Sequence, residues 1–370
     1  MTRKEAFLTA LRLETPDVVP VAPLIHSRYA DKLLGRGDWR AVFELHQTLG
    51  STHFRGPIGV SYRSEGASPW RYETRVLREE GTRVETEETV AGPGGSMRAV
   101  DVRGMIPHDP VCSKRTDYPV KSVEDWAMVR AIYEDQVARA AGPYFDTAAE
   151  AFEVMGGDGV PSVGLGSIFQ MLGHWRGMQE LLYDLYDTPG VIRSVSEVMA
   201  EHSRLAVEAF LAAPNEVAWL DICWATGSNM SPAMFEEWII PDVRRVCAQV
   251  RAVPGKFIGL YTLGRIREIM PAMVAAGPHF IETFEPNEGD ISLREAKQLY
   301  GRDVCICGNF DCVILARGTP EQSRREALRC LDGAMAGGGY IMVSGDEVPA
   351  DTQWDNLVAW VETVAEHGRY

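Results

Sequence analysis

Apolar positions recur along this chain in two periods, and their order sets the expectation for the fold. Residues 3–13 place Ala6, Phe7, Ala10 and Leu11 at helical spacing, which predicts an amphipathic helix. An apolar run, VVPVAPLI, follows and ends at His26, and a helix over about 39–49 leads into a second short strand, THFRGPIGV. From about residue 126 onward, helical stretches alternate with short apolar runs: PSVGLG, EVAWLDIC, KFIGLYTL, HFIETFEP, DVCICGN and GYIMVSG. Such alternation argues for βα units on a parallel sheet. With the two N-terminal strands the total reaches eight, the number that closes a (β/α)8 TIM barrel. A doubly wound open sheet is the alternative, but no glycine-rich dinucleotide fingerprint follows any strand.

Residues 60–117 differ in character. SYRSEG, RYETRVL, GTRVETEETV and MRAVDVRG alternate apolar with polar positions, and GPGG at 92–95 supplies turn residues. This pattern predicts a run of antiparallel hairpins inserted into the barrel. YPVKSVEDW then carries a helix start, with Ser122 as N-cap and Asp125 three residues on. The expectation is an α/β barrel forming one domain over 1–370, with its hairpin insertion at about 60–117.

Composition narrows the function classes. A chain of 370 residues with 45% hydrophobic and 24% charged residues can bury a large core. The polar N-terminus lacks the apolar region of a signal peptide. No apolar run approaches the ~18–20 residues of a membrane span. A soluble, cytoplasmic protein without a membrane partner is the reading. A net charge of −15 argues against nucleic acid, because phosphate binding needs a basic surface. Seven scattered cysteines, an odd number, do not suggest a disulfide framework. Cys305 and Cys307 alternate as in a buried strand, which suits core packing.

In barrels of this kind the chemistry sits where the strands end. That rule collects His26, Asp221, Tyr261, Glu282 and Asp346 as catalytic candidates. His53, Arg55, Trp224, Asn309 and Glu347 are the accompanying substrate contacts. His174 and Arg176, where the loop after a strand enters a helix, join the second group. An imidazole can give or take a proton near neutrality, and a carboxylate at the place of Asp221, beside Trp224, would suit acid–base work if desolvated. An inward Glu282 needs a partner, whereas Glu285 falls in the following loop. Each has a plainer alternative: a histidine satisfied in a loop, or an acid capping a helix N-terminus. A lining rich in carboxylates and hydroxyls suits a hard-ligand metal, or a cationic or hydroxylated small molecule.

Several segments taken together resemble the uroporphyrinogen decarboxylase-like superfamily: RKEAFLTALRLETPDVVPV, YPVKSVEDW, RGMQELLYDLYDTPGVI, SPAMFEEWIIPDVRRV and GNFDCVILARGTPEQSRREALRCL. That superfamily holds cofactor-free decarboxylases and corrinoid-linked methyltransferases. The resemblance implies the same barrel, with its pocket at the strand C-termini. It also exposes departures. The decarboxylases carry an arginine-rich segment after the first strand, where PLIHSRYADKL leaves Arg28, and an aspartate after the second, where FRGP brings Arg55. A substrate with many carboxylates needs several guanidinium partners, so uroporphyrinogen is not expected here. The methyltransferases hold zinc with a His-x-Cys and a later Cys. At those places stand Tyr261, Leu263 and Asp346, so a thiolate-type zinc site is not expected. The resemblance implies a methyltransferase or demethylase moving a methyl group between a small molecule and a corrinoid. No Asp-x-His-x-x-Gly run occurs, so the corrinoid would sit on a partner protein. The alternatives are a cofactor-free decarboxylase or lyase acting on a small carboxylic acid, with His26 or Asp221 as proton donor, and a non-catalytic barrel that binds a small molecule.

Overall fold

A computed structural model describes residues 1–106, 113–146 and 148–370. Six parallel strands form one sheet in chain order: Ser162–Gly166, Val217–Asp221, Phe257–Tyr261, Phe280–Thr283, Cys305–Gly308 and Tyr340–Ile341. Two extended N-terminal segments close it. Val21 bridges Met342 in parallel, the Thr52 amide donates to the Val21 carbonyl at 2.8 Å, and His53 and Pro57 bridge Gly159 and Ser162. The ring therefore has eight staves, the six strands and the two segments at 18–24 and 51–57. The barrel expected from the alternation is the fold observed.

The chain divides into two compact units. The first comprises Met1–Val60, Phe145–Leu165 and Phe210–Tyr370, and holds the barrel core. Its N-terminal helix, Arg3–Leu11, starts at a capping box between Thr2 and Glu5. Phe7 and Leu11 from this helix join Val217, Phe257, Phe280 and Cys305, each the first residue of its strand, in one buried cluster. The helix thus seals the N-terminal end of the barrel. Burying a side chain such as Phe7 stabilises by about 1.5–3 kcal/mol. Cys305 and Cys307 lie fully buried here, as their alternation suggested. With that end packed, the C-terminal ends of the strands are left for a site.

The second unit comprises Ser61–Tyr144 and Gly166–Ala209. Four antiparallel strands form its sheet in order: Arg71–Glu80, Arg83–Gly92, Gly95–Arg103 and Ser113–Asp117. These are the expected hairpins; residues 107–112 of that stretch lie outside the described residues. Ser122 and Asp125 make the expected capping box, here on a short 3-10 turn.

Candidate active site

Strand register brings the inward residues together. Asp221 pairs with Tyr261, Tyr261 with Glu282, and Glu282 with Cys307, so one row crosses four neighbouring strands. Glu282 is fully buried, and its carboxylate lies 2.8 Å from an Arg55 guanidinium nitrogen. The contact is an ion pair rather than an aligned hydrogen bond, because neither Glu282 oxygen receives a well-directed donor. Burial pushes the Glu282 carboxyl up to about 7; Arg55 pulls it down and Asp221 adds a smaller upward push.

Arg55 is held in turn by aromatic rings. Its guanidinium carbon stands 3.9 Å from the centre of the Trp219 ring, 4.8 Å from Tyr261 and 5.2 Å from Phe54. A cation over these π-faces is stabilised where water is excluded. Trp219 reaches this place because residue 164 on the neighbouring strand is glycine: a Cβ there would fall 2.6 Å from the indole. Arg55, Trp219 and Tyr261 line a cavity of about 330 Å³ together with His26, Trp39, His53 and Glu347. Glu282 stands behind Arg55 rather than on the cavity wall.

At the mouth, the Tyr261 hydroxyl donates to Asp346 at 2.6 Å. Burial raises the Asp346 carboxyl, and the tyrosine hydrogen bond partly offsets the rise. Tyr261→Phe is therefore expected to raise the Asp346 pKa further, and to cost about 1–3 kcal/mol for the partner lost from a mostly buried carboxyl. Carboxyl-carbon NMR titration of both proteins checks the direction; an Asp346 value unchanged by the substitution would refute it. Glu347 pairs with Arg28 and lies 3.9 Å from His26 Nε2, while His26 Nδ1 meets the Ser27 hydroxyl at 3.1 Å.

His53 is buried, and its Nε2 lies 2.6 Å from the Arg55 carbonyl. A carbonyl only accepts, so Nε2 carries the proton and Nδ1 is bare. The His46 ring stacks on it with centroids 5.0 Å apart and planes 2° apart. Burial lowers the His53 pKa to about 4. The unfolded chain takes up a proton near 6.5 that the folded chain refuses until about 4, so stability is lost as pH falls through this window. His53→Gln keeps a donor for the Arg55 carbonyl without a titrating ring. Relative to wild type, this variant is expected to gain stability as pH falls from 6.5 towards 4. Denaturation at stepped pH measures this difference, and a constant offset across the window would rule it out.

The remaining candidates are each held by contacts within their own unit. Asp221 ends its strand and accepts from the Cys223 amide at 3.0 Å, and the Trp224 carbonyl accepts from Asn229 at 2.8 Å. Glu285 lies in the loop after its strand, as expected, and accepts from the Asn287 amide at 2.9 Å. Asn309 is buried. It donates to the Phe284 carbonyl at 2.8 Å and accepts from Arg329 at 2.8 Å. This bond pins an uncommon turn, for Thr283 and Phe284 have φ of 85° and 49° directly after Glu282. Left-handed backbone in such residues costs of order 1–3 kcal/mol and persists only where the surroundings impose it. His174 and Arg176 belong to the second unit. Arg176 binds both Asp184 oxygens, at 2.9 and 3.2 Å, and donates to the Lys121 carbonyl at 2.8 Å. The His174 carbonyl accepts from Arg115 at 3.3 Å.

Sequence reading missed Trp219, Trp39 and the Arg28–Glu347 pairing. Trp219 stands two residues before Asp221, so strand alternation could have placed both on one face. Nothing local marks Trp39, which the chain carries to the cavity on the helix Trp39–Leu49.

Comparison with known proteins adds the family. The model for uroporphyrinogen decarboxylase (URO-D) matches residues 113–367. The chain belongs to the uroporphyrinogen decarboxylase family. This URO-D chain also shares its fold with a solved methyltransferase from Methanosarcina mazei. That likeness has a TM-score of 0.66 at 16% identity and covers 99% of each chain. A comparison with curated proteins finds no match. Among the described residues of this URO-D member no group of three His, Cys, Asp or Glu side chains could hold a metal ion. Tyr261 and Asp346, at places that the resemblance gives to zinc ligands, instead bond each other, and that donor set does not fit a thiolate zinc site. No described helix is long and apolar enough to cross a membrane.

Proposed function

We propose that this chain is a methyl-transfer enzyme acting on a small molecule held in the cavity at Arg55, with a corrinoid on a partner protein as methyl acceptor. The observation that carries the reading is the Arg55 guanidinium, clasped by Trp219 and Tyr261 at the cavity wall and backed by Glu282. When a methyl group leaves oxygen or nitrogen, the bond to carbon breaks and its electron pair stays on the heteroatom. A guanidinium in a water-poor site stabilises that developing charge. His26, on the same wall, supplies the proton that completes the leaving group. The methyl carbon passes to the acceptor nucleophile. The chain's contribution is to orient the donor, hold the charge and deliver the proton.

Charge balance supports a substrate of low negative charge. Arg55 and Arg28 already carry Glu282 and Glu347 respectively, and Asp346 adds a further carboxyl at the mouth. A polycarboxylate would meet two guanidiniums among these residues, each with a carboxyl group beside it, whereas a methyl ether or methylated amine would meet aromatic walls. A second reading, decarboxylation of a small acid, is favoured by one feature: a proton-exchanging centre near neutrality that needs no metal. In it carbon dioxide leaves, and His26 protonates the carbon left behind.

Incubation of the purified protein with cob(I)alamin and a panel of methyl ethers and methylated amines tests the reading. Formation of methylcobalamin that depends on Arg55 supports it. Carbon dioxide release from a carboxylic acid, with no methylcobalamin from any donor, replaces it with the second reading. Failure of both leaves a binding barrel.

A further inference from the structure

The second unit holds a cavity of about 330 Å³, and every residue lining it belongs to that unit. One face of the antiparallel sheet makes its floor. Tyr72 lies opposite Val90 and Val90 opposite Met97; one rung along, Thr74 lies opposite Glu88 and Glu88 opposite Ala99. Residues opposite each other on antiparallel strands share a face, so these two rungs stand side by side. Val90, Met97 and Ala99 are buried and make part of this floor apolar. Pro119, with His174 and Trp175 at the end of the helix Ile168–Arg176, completes the lining.

Two aromatic rings in the lining have their polar groups occupied. The Trp175 indole N–H donates to the Tyr133 hydroxyl at 3.2 Å, and the Tyr72 hydroxyl is hydrogen-bonded to Gln136. What both offer a ligand is therefore the ring. The charges beside them do not balance. Arg115 donates to Asp101 at 2.8 and 3.1 Å, to Glu88 at 2.7 Å and to the His174 carbonyl at 3.3 Å. One guanidinium thus serves two carboxylates, and one negative charge is left over. Glu88 is the most open of the three, its side chain 53% exposed against 23% for Arg115 and 24% for Asp101, so the surplus is presented there. Glu73, also in the lining, makes no ion pair among the described residues. An anion would meet carboxylates and a guanidinium already making four hydrogen bonds. A cation would meet uncompensated negative charge beside aromatic rings, the surroundings in which organic ammonium ions are held.

We propose that this cavity is a binding site for a small organic ammonium ion, sharing no residue with the cavity at Arg55 and independent of the activity assigned there. Titration of the full-length protein, labelled at its methionine methyl groups, with benzyltrimethylammonium, benzyl alcohol and phenylacetate tests it by NMR. The titrations are run at pH 8, where ordinary imidazoles are neutral. The Met97 methyl resonance, identified by its loss in Met97→Leu, reports this cavity rather than the barrel. It is expected to shift saturably with benzyltrimethylammonium, less with benzyl alcohol and not with phenylacetate. Trp175→Leu is expected to weaken binding of the cation about tenfold, and Glu88→Gln about threefold. Glu88 is exposed and glutamine keeps its shape, so the melt of that variant should match wild type, and it decides the matter where Trp175→Leu fails to fold. A Met97 resonance that benzyltrimethylammonium does not move overturns the proposal. So does phenylacetate binding as tightly as the cation, or an affinity for the cation that Glu88→Gln leaves unchanged.

Discussion

With Arg55 replaced by alanine, the protein is expected to lose about 3–5 kcal/mol of stability at alkaline pH and distinctly less at acid pH. The reason is the company that Glu282 keeps. Its carboxylate is fully buried, with the Arg55 guanidinium beside it at 2.8 Å. Removing that cation strands an ionised group in the barrel, whereas a protonated Glu282 tolerates the loss far better. The sign follows from linkage. In the wild type the folded value near 7 lies above the ordinary 4.5 of the carboxyl. This group's contribution is therefore full below 4.5 and is lost as pH rises through about 7. Without Arg55 the folded value climbs further, so the loss continues into the alkaline range. Urea denaturation of both proteins at stepped pH measures the difference, and a penalty independent of pH would defeat the account. Under the proposed function the same variant is also expected to lose turnover by about 10²–10³-fold, the usual effect of deleting a group that stabilises developing charge.

Glu282→Gln is the second substitution with a large expected effect, and its signature is a pH profile rather than a simple loss. A neutral Glu282 leaves the positive charge of Arg55 uncompensated and available to the leaving group; an ionised one offsets it. Wild-type methyl transfer is therefore expected to fall as pH rises through about 7, where Glu282 titrates. In the glutamine variant Arg55 faces a neutral amide at every pH, so that step should vanish and activity should persist on the alkaline side. Glutamine keeps the shape of the side chain, so the aromatic clasp on Arg55 stays in place. The measurement is kcat/KM against pH for both proteins. A step near 7 that survives in the variant would assign the titration to another group and remove Glu282 from the mechanism. Glu282 acts through Arg55 here, so its role is positioning and tuning.

The strand ends were readable in the chain because a barrel stave is short, apolar and closed by polar residues, and all eight runs picked out by that pattern are staves. Local spacing also put Glu282 inside the barrel and Glu285 in the loop beyond it. It could not separate residues that line the cavity from those that support it. Asn309 and Glu282 both sit at strand ends, yet Asn309 pins the turn at Thr283 and Phe284, and Glu282 stands behind Arg55. That sorting depends on strand register and on which side chain fills the space in front.

By itself the sequence determined the eight-stave barrel, the antiparallel insertion and the group of strand-end residues from which any site must be drawn. These are properties of local periodicity and residue chemistry, and each is complete within a few consecutive residues. The tertiary structure alone decided that Arg55 pairs with Glu282, that Tyr261 bonds Asp346, and that Trp219 lies over the guanidinium because Gly164 leaves room for it. Each partnership joins residues far apart in the chain. Their charges and volumes acquire meaning only when barrel closure sets the distances and excludes the water that would otherwise screen them.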